Sequence, residues 1–340
     1  MKKRILALLL AGVMTLGLAA CGGGGDKTGG DDVKTYNVGV AIYEFNDNFM
    51  TLYRNEIDAY FKTLETDKVK YKINIVDGKT DPATQTNQID TFITQQMDVI
   101  ILNLVQTSTA EALINKIVAA NIPLVLINRE PAIEGAEDES YPGIVDNPKV
   151  CYVGADARQS GTYQGEIVAA LDNKGDMNGD GVVKYVMIEG DPENSDAQYR
   201  TKFSIKALED AGIKVECLVD NVGNWQTDKG NEIADSALAQ YGTDIDVIFC
   251  NNDGMALGAA QAIKKNNRTV GTDILLLGVD ALDECVEMVK NGEMTGTVLN
   301  DHIGQSHKAV DVAVDLLNGK DVENYYWVDY VKVDSAYVNK

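Results

Sequence analysis

Val99-Ile100-Ile101-Leu102-Asn103 precedes a helical stretch and then Leu124-Val125-Leu126-Ile127-Asn128. The pattern returns as Val247-Ile248-Phe249-Cys250-Asn251-Asn252, a helical stretch, and Leu275-Leu276-Leu277-Gly278-Val279-Asp280. Each apolar run is unbroken, so it lacks the alternation of a strand with one wet face. Such runs are buried on both sides, as in a parallel sheet covered by helices. Each run also ends in a carboxamide or carboxylate, at the sheet edge where α/β folds bind ligands.

Outward from these runs the alternation continues. Val38-Gly39-Val40-Ala41-Ile42 and residues 71–76 (YKINIV) read as strands. Further strands are predicted at residues 151–154, 184–189, 214–219, 247–250 and 274–279. Helical patterns cover residues 50–64, 83–96 and 108–120, the last capped by Ser108. They return at residues 158–172, 196–211, 227–240, 254–265, 282–291 and 304–317. Residues 132–149 are acidic and loop-like. The fold class is α/β, with two similar doubly wound parallel-sheet domains.

The polar residues near strand ends are Asp47, Asn103, Asn194, Asp196, Arg200, Asn252, Asp280 and Asn300. They are carboxylates, carboxamides and one guanidinium, planar groups that make paired hydrogen bonds. Phe49 and Trp225 stand in loops of the same kind. A pyranose fits this set: its hydroxyls both donate and accept, and its C–H faces stack on aromatic rings. Singly, an Asp or Asn after a strand is ordinarily a turn residue or helix cap; the weight lies in their number and repeated placement. The densest such junction is residues 190–200, GDPENSDAQYR, in which Asp191 and Glu193 read as solvated.

Composition narrows the classes of function. Lys and Arg total 30 against 52 Asp and Glu, a net charge of −22. Nucleic-acid binding needs basic patches, so no nucleic-acid partner is expected. A sugar-responsive transcription regulator would also need a basic DNA-binding segment at the N-terminus. A sugar-acting enzyme would need a nucleophile, a base and a group orienting the base. His302 and His307 are the two histidines, and no such set emerges.

The N-terminus carries its own information. Met1-Lys2-Lys3-Arg4 is basic, and residues 5–20 are apolar and too short to favour a permanent span. Residues 1–20 read as a signal peptide. Leu18-Ala19-Ala20-Cys21 resembles the lipobox of bacterial lipoproteins, which implies cleavage before Cys21 and lipidation of its sulfur. The alternative is a simple secretory signal with an incidental cysteine. Cleavage removes Lys2, Lys3 and Arg4 and leaves the chain three charges more negative. Residues 21–36 form a Gly- and Asp-rich tether. Cys151, Cys217, Cys250 and Cys285 form no CxxC and read as buried free thiols.

The runs YEFNDNFM (43–50), ILNLV (101–105), YVGAD (152–156), Asn251-Asn252-Asp253, GVDAL (278–282) and GTVLND (296–301) resemble the galactose/glucose-binding proteins of bacterial sugar importers. The resemblance runs from about Tyr36 to the C-terminus. It implies the periplasmic-binding-protein type I fold: two domains, three hinge strands and a sugar held between them. The domains are expected at residues 37–121 with 302–333, and at 122–301 with 334–340. Hinges are expected near residues 121–124, 299–302 and 332–335. The resemblance further implies that Asp47 accepts from the 4-hydroxyl region and that Phe49 and Trp225 sandwich the ring. Asn103, Asn252, Asp280 and Asn300 would hold other hydroxyls, with Asp196 and Arg200 at the anomeric end. Asn194 stands where the family commonly has His, at the primary-hydroxyl end. The implied function is capture of D-galactose or D-glucose by a lipid-anchored monomer and delivery to an ABC importer. Presentation of the sugar to a chemoreceptor, or binding of a pentose, are the alternatives.

A second motif is DMNGDGVVK, residues 176–184. Asp176, Asn178 and Asp180, with Gly181 next, follow the start of a calcium loop, and Val182 would offer its backbone oxygen. In the resembling family a distant carboxylate completes the cage, and Asp246 falls at that place. Lys184 stands where the family has an oxygen ligand. The two readings are a structural calcium site and an Asx-rich turn held by its own hydrogen bonds.

Overall fold

The computed structural model describes residues 33–131 and 141–340. The expected signal peptide, Cys21 and most of the tether lie outside the described residues, as does much of the acidic stretch. Among the described residues no helix is long and apolar enough to cross a membrane.

The first part of the chain forms β1 (Lys34–Ile42), α1 (Asn48–Thr63), β2 (Val69–Asp77), α2 (Pro82–Thr94), β3 (Val99–Leu102), α3 (Ala110–Ala119) and β4 (Leu124–Ile127). A single-turn α4 (Pro142–Val145) leads to β5 (Val150–Gly154). The chain then forms α5 (Ala157–Ala169), β6 (Val183–Glu189), α6 (Ser195–Asp210), β7 (Val215–Val222), α7 (Thr227–Tyr241) and β8 (Val247–Cys250). It continues with α8 (Asp253–Lys265), β9 (Leu275–Leu277), α9 (Asp283–Asn291), β10 (Gly296–Leu299) and α10 (His302–Leu317). The C-terminal segment holds β11 (Tyr325–Trp327), β12 (Val331–Asp334) and α11 (Ser335–Val338). Ser108 is not the cap of α3: it lies inside a 3-10 turn, Thr107–Thr109, that leads into the helix.

Two six-stranded sheets result. Their orders are β2-β1-β3-β4-β5-β11 and β7-β6-β8-β9-β10-β12, the same winding twice. Every pairing is parallel except β10 with β12, which is antiparallel. Every residue of β3, β4, β8 and β9 is buried, as their unbroken apolar runs require. Each such side chain removed from water contributes about 1.5–3 kcal/mol.

The sheets move the expected domain boundaries. Leu124 pairs with Ile100, and Val150 with Leu124, so β4 and β5 belong to the first sheet. Asn121, read as a hinge, is a tight helix-to-strand turn at φ 59° whose N–H donates to Val118 O. The first domain therefore runs to Gly154, and the chain crosses between the sheets just after it. It crosses back between Leu299 and His302. The last crossing lies at residues 328–330 and not at 332–335, because β12 pairs along β10. Of the cysteines, Cys151, Cys250 and Cys285 are buried free thiols, but Cys217 is exposed because β7 is an edge strand.

Helices α5 and α6 approach closely through two glycines. A Cβ on Gly165 would stand 2.3 Å from Ser204 O and 2.6 Å from Ala207 Cβ. This contact fixes α6, the helix that carries Asp196 and Arg200. Gly165→Val is expected to lower unfolding stability by about 1–3 kcal/mol through overpacking. Urea denaturation followed by circular dichroism measures it; an unchanged midpoint would show that the helices can part freely.

Candidate functional site

Loops at the carboxyl ends of β1, β4, β6, β7, β8, β9 and β10 converge between the sheets. They line a cavity with about 30 Å³ of free room, well short of the roughly 300–1,000 Å³ of small-molecule sites. Nine of the ten expected residues line it: Asp47, Phe49, Asn194, Asp196, Arg200, Trp225, Asn252, Asp280 and Asn300.

Asn103 is the exception. It is buried behind the site, and all its bonding is spent on the first domain. Its Oδ1 accepts from Tyr43 N–H at 3.2 Å, and its Nδ2 donates to Ile127 O and Asn128 Oδ1. The cavity is lined instead by Asn128 and Arg129 from the next strand, with Tyr43 and Met50. Asn128 ends β4 as Asn103 ends β3, so the repeated strand ending was the signal for it. Nothing in the sequence marked Arg129, which is 1% exposed with its guanidinium 3.7 Å from the centre of the Tyr43 ring.

Three lining residues cap helices. Asp47 Oδ1 accepts from Met50 N–H at 2.7 Å, while its Oδ2 accepts from Tyr43 Oη–H at 2.8 Å. Asn194 Oδ1 accepts from Asp196 N–H, and Asn252 Oδ1 from Met255 N–H. The helices α1, α6 and α8 therefore begin at the cavity wall, with their side-chain caps between helix and ligand space. Asn252 Nδ2 donates to Trp225 O. Asn194 has one side-chain oxygen engaged, so its amide N–H groups are what it can offer a ligand.

The charged centre is Arg200, 3% exposed. Nη1 donates to Asn251 O at 2.8 Å; Nη2 donates to Tyr330 Oη at 3.0 Å and Asp196 Oδ2 at 3.3 Å. Burial works against its charge, but Tyr330, Asp196 and Asp280 outweigh that and hold the guanidinium protonated. Burial raises the Asp196 carboxyl, opposed by Arg200 and Arg129. Burial raises Asp280 further above the carboxylate range, with Arg200 again opposing. Asp280 receives Asn300 Nδ2–H at 3.3 Å, and Asn300 Oδ1 in turn accepts from Gln305 Nε2–H. Three buried nitrogens of lining residues, Arg129 Nε, Arg200 Nε and Trp225 Nε1, have no partner among the described residues. The site thus combines carboxylate acceptors short of donors with nitrogen donors short of acceptors. A neutral polyhydroxylated ring supplies both at once.

Trp225 follows Asn224, and both lie in the left-handed region at φ 68° and 49°. The turn lays the indole over Gly190, where a Cβ would come within 2.1 Å of the ring. Residues 190–200 therefore provide a glycine seat for Trp225 as well as Asn194, Asp196 and Arg200.

A periplasmic binding protein domain profile matches residues 38–321. The chain belongs to the periplasmic binding protein family. Its members are non-catalytic solute receptors, and this chain is a receptor, not an enzyme. It is 33% identical to the D-galactose/methyl-galactoside binding periplasmic protein MglB of Haemophilus influenzae, over 98% of this chain and 97% of the other. It is 32% identical to a putative rhizopine-binding protein of Rhizobium meliloti, over 88% and 90%. A solute binding protein of an ABC transporter from Bacillus halodurans, solved with bound myo-inositol, superposes with a TM-score of 0.77 at 27% identity. That match covers 92% of this chain and 98% of the other. The two-domain α/β fold of periplasmic binding proteins is thereby established.

The second motif is a closed hydrogen-bonded turn. Asp246 Oδ1 accepts from Met177 and Asn178 N–H, and its Oδ2 from Lys184 N–H at 2.8 Å. Asp176 accepts from the N–H groups of Gly179, Asp180 and Gly181. Asn178 Oδ1 accepts from Asp180 N–H, and Asp180 Oδ1 from Val182 N–H. The Lys184 ammonium pairs with the other Asp180 oxygen. Backbone N–H groups thus hold the carboxylates, as in an Asx-rich turn, and a lysine ammonium stands beside them.

Gly190→Val is expected to expel the Trp225 ring, shifting its fluorescence and weakening ligand binding at least tenfold while far-ultraviolet circular dichroism is retained. Unchanged emission would show that the indole does not rest there. For the loop, melting is expected to be the same with chelator as with millimolar calcium. A melting point raised by calcium would overturn the lysine reading, since ligands of the folded state stabilise it by mass action.

Proposed function

We propose that this receptor captures a monosaccharide, D-galactose or D-glucose, and delivers it to an ABC importer from outside the cytoplasm. The observation that carries this reading is the lining itself. Phe49 and Trp225 offer aromatic faces, while Asp196, Arg200, Asp280 and Asn300 offer paired planar acceptors and donors in a small cavity. An aldohexopyranose has apolar faces and hydroxyls on every side of its edge, which matches both halves of that set. The galactoside-binding relative supports the hexose class.

In this reading Arg200 and Asp196 bind one hydroxyl together, the guanidinium donating and the carboxylate accepting. Asp280 and Asn300 do the same for another. Asp47, held by Tyr43, accepts from a third. Asn194 donates where the resembling family commonly has His, with a shorter reach. The chain crosses between domains after Gly154, at residues 299–302 and at 328–330, and these crossings carry the opening and closing. Closure gives the importer a form it can tell from the open one. Lipidation of Cys21 would tether a monomeric receptor to the membrane, and presentation to a chemoreceptor uses the same closed form.

A second reading has a specific support. The Bacillus halodurans structure holds myo-inositol, a six-membered ring bearing a hydroxyl on every carbon. The relatives also include binders of ribose, which keeps a pentose in view.

Calorimetric titration with galactose, glucose, myo-inositol, xylose and ribose tests these readings together. Galactose or glucose is expected to bind most tightly; tighter inositol or ribose would reassign the ligand, and no binding at millimolar concentration would sink the sugar reading. Trp225→Ala is expected to weaken the preferred sugar by roughly 1–3 kcal/mol, the loss of one stacked aromatic face. An unaltered dissociation constant would remove the stacking role.

A further inference from the structure

The seam beside the cavity joins the two domains through Asp191 and Glu193, which read as solvated in the sequence, and through Arg129, which the sequence did not mark. Arg129 follows β4 in the first domain; Asp191 follows β6 in the second. Arg129 Nη1 lies 3.4 Å from Asp191 Oδ2, with side chains 2% and 27% exposed. The same nitrogen donates to Val105 O. Asp191 is held in place by its own turn: Oδ1 accepts from Glu193 N–H at 3.0 Å, and its backbone O accepts from Asn194 N–H. Oδ2 is thereby left facing the other domain. Two neutral bonds flank the pair across the same seam. Thr107 Oγ1 donates to Glu193 O, and Ser195 Oγ donates to Glu130 O.

We propose that Asp191 is a positioning residue whose carboxylate holds Arg129 across the domain seam and so sets how readily the receptor closes on its ligand. Arg129 connects this seam to the binding site. Its guanidinium lies against Tyr43, whose hydroxyl donates to Asp47 in the cavity wall. When the domains part, Arg129 loses a carboxylate that lies largely out of water. Opening trades the pair's mutual attraction for water around each group, so the pair resists opening. Asp191 is not among the cavity-lining residues. Its influence on affinity therefore passes through closure, and the apparent dissociation constant rises as the fraction of closed receptor falls. Capture of a sugar rests on the proposed function; the closing role of Asp191 does not depend on which ligand is held.

Asp191→Asn separates the latch from the turn, because its carboxamide oxygen still accepts from Glu193 N–H while the charge is gone. Small-angle scattering of the ligand-free protein is the first measurement. The variant is expected to have a larger radius of gyration than wild type, with an unchanged melting point within a degree or two. The second measurement is binding of the tightest sugar from the titration above. Asp191→Asn is expected to raise the dissociation constant about three- to tenfold, mainly through faster release, with the ranking of sugars unchanged. Asp191→Glu, which keeps the charge, is expected to recover most of the affinity. Equal scattering curves for wild type and Asp191→Asn would overturn the proposal, as would equal release rates. If no sugar binds wild type, the proposed function fails, and the ligand-free scattering still decides the latch.

Discussion

A guanidinium that is 3% exposed must find its counter-charges and acceptors where it lies, and Arg200 finds them on three parts of the chain. Asp196 is one turn away on α6, Asn251 O closes β8, and Tyr330 Oη stands on the last crossing between the domains. No two of these are set by the same element. The helix must be pressed onto α5, the sheet must bring β6 beside β8, and the C-terminal segment must return before Arg200 is satisfied. Leaving one partner out would strand a buried charge, a loss of several kcal/mol. The folded second domain and the assembled site are therefore one condition rather than two.

The same requirement accounts for the electrostatics of the cavity. Asp196 and Asp280 are both pushed up by burial, and Arg200 is the main force holding each down. The two carboxylates gather around Arg200, with Arg129 adding its charge near Asp196, and remain short of hydrogen-bond donors. A ligand carrying hydroxyls supplies donors without adding charge, whereas an anionic ligand would meet two buried carboxylates and be refused. Recognition of a neutral polyol follows from an ionic arrangement that is incomplete within the protein.

Much of this was legible in the sequence, for a physical reason. Buried parallel strands are written as unbroken apolar runs, so the strands and the double winding could be read from Val99–Leu102 and Val247–Cys250. The domain boundary could not. Whether Leu124–Ile127 joins the first sheet or the second is decided by pairing with β3, and an apolar strand carries no mark of its neighbour. Asn103 and Asn128 both end strands, and the sequence does not say which faces the cavity and which supports it from behind. Arg129 was hidden for a different reason. A lone arginine after a strand reads as solvated, and only the ring of Tyr43 and the carboxylate of Asp191 make a buried place for it. The calcium spacing also encodes a turn: the carboxylates fold around N–H groups whether or not an ion follows.

Sequence reasoning sets a helix cap and a ligand contact against each other as rival explanations of an Asp or Asn after a strand. In this protein they are one arrangement. Asp47, Asn194 and Asn252 each give one oxygen to the first turn of a helix and stand in the cavity wall. Capping fixes the rotamer of each side chain before any ligand arrives, so little conformational entropy is left to lose on binding. It also turns the positive ends of α1, α6 and α8 toward the ligand, where N–H dipoles favour the oxygen-rich edge of a polyol. The capping oxygens have spare lone pairs and the carboxamides have free N–H groups, so satisfying the helix does not exhaust the residue. That double use explains why the site could be found by collecting ordinary caps: the fold needs Asx residues at those helix starts, and the winding brings the starts to one place.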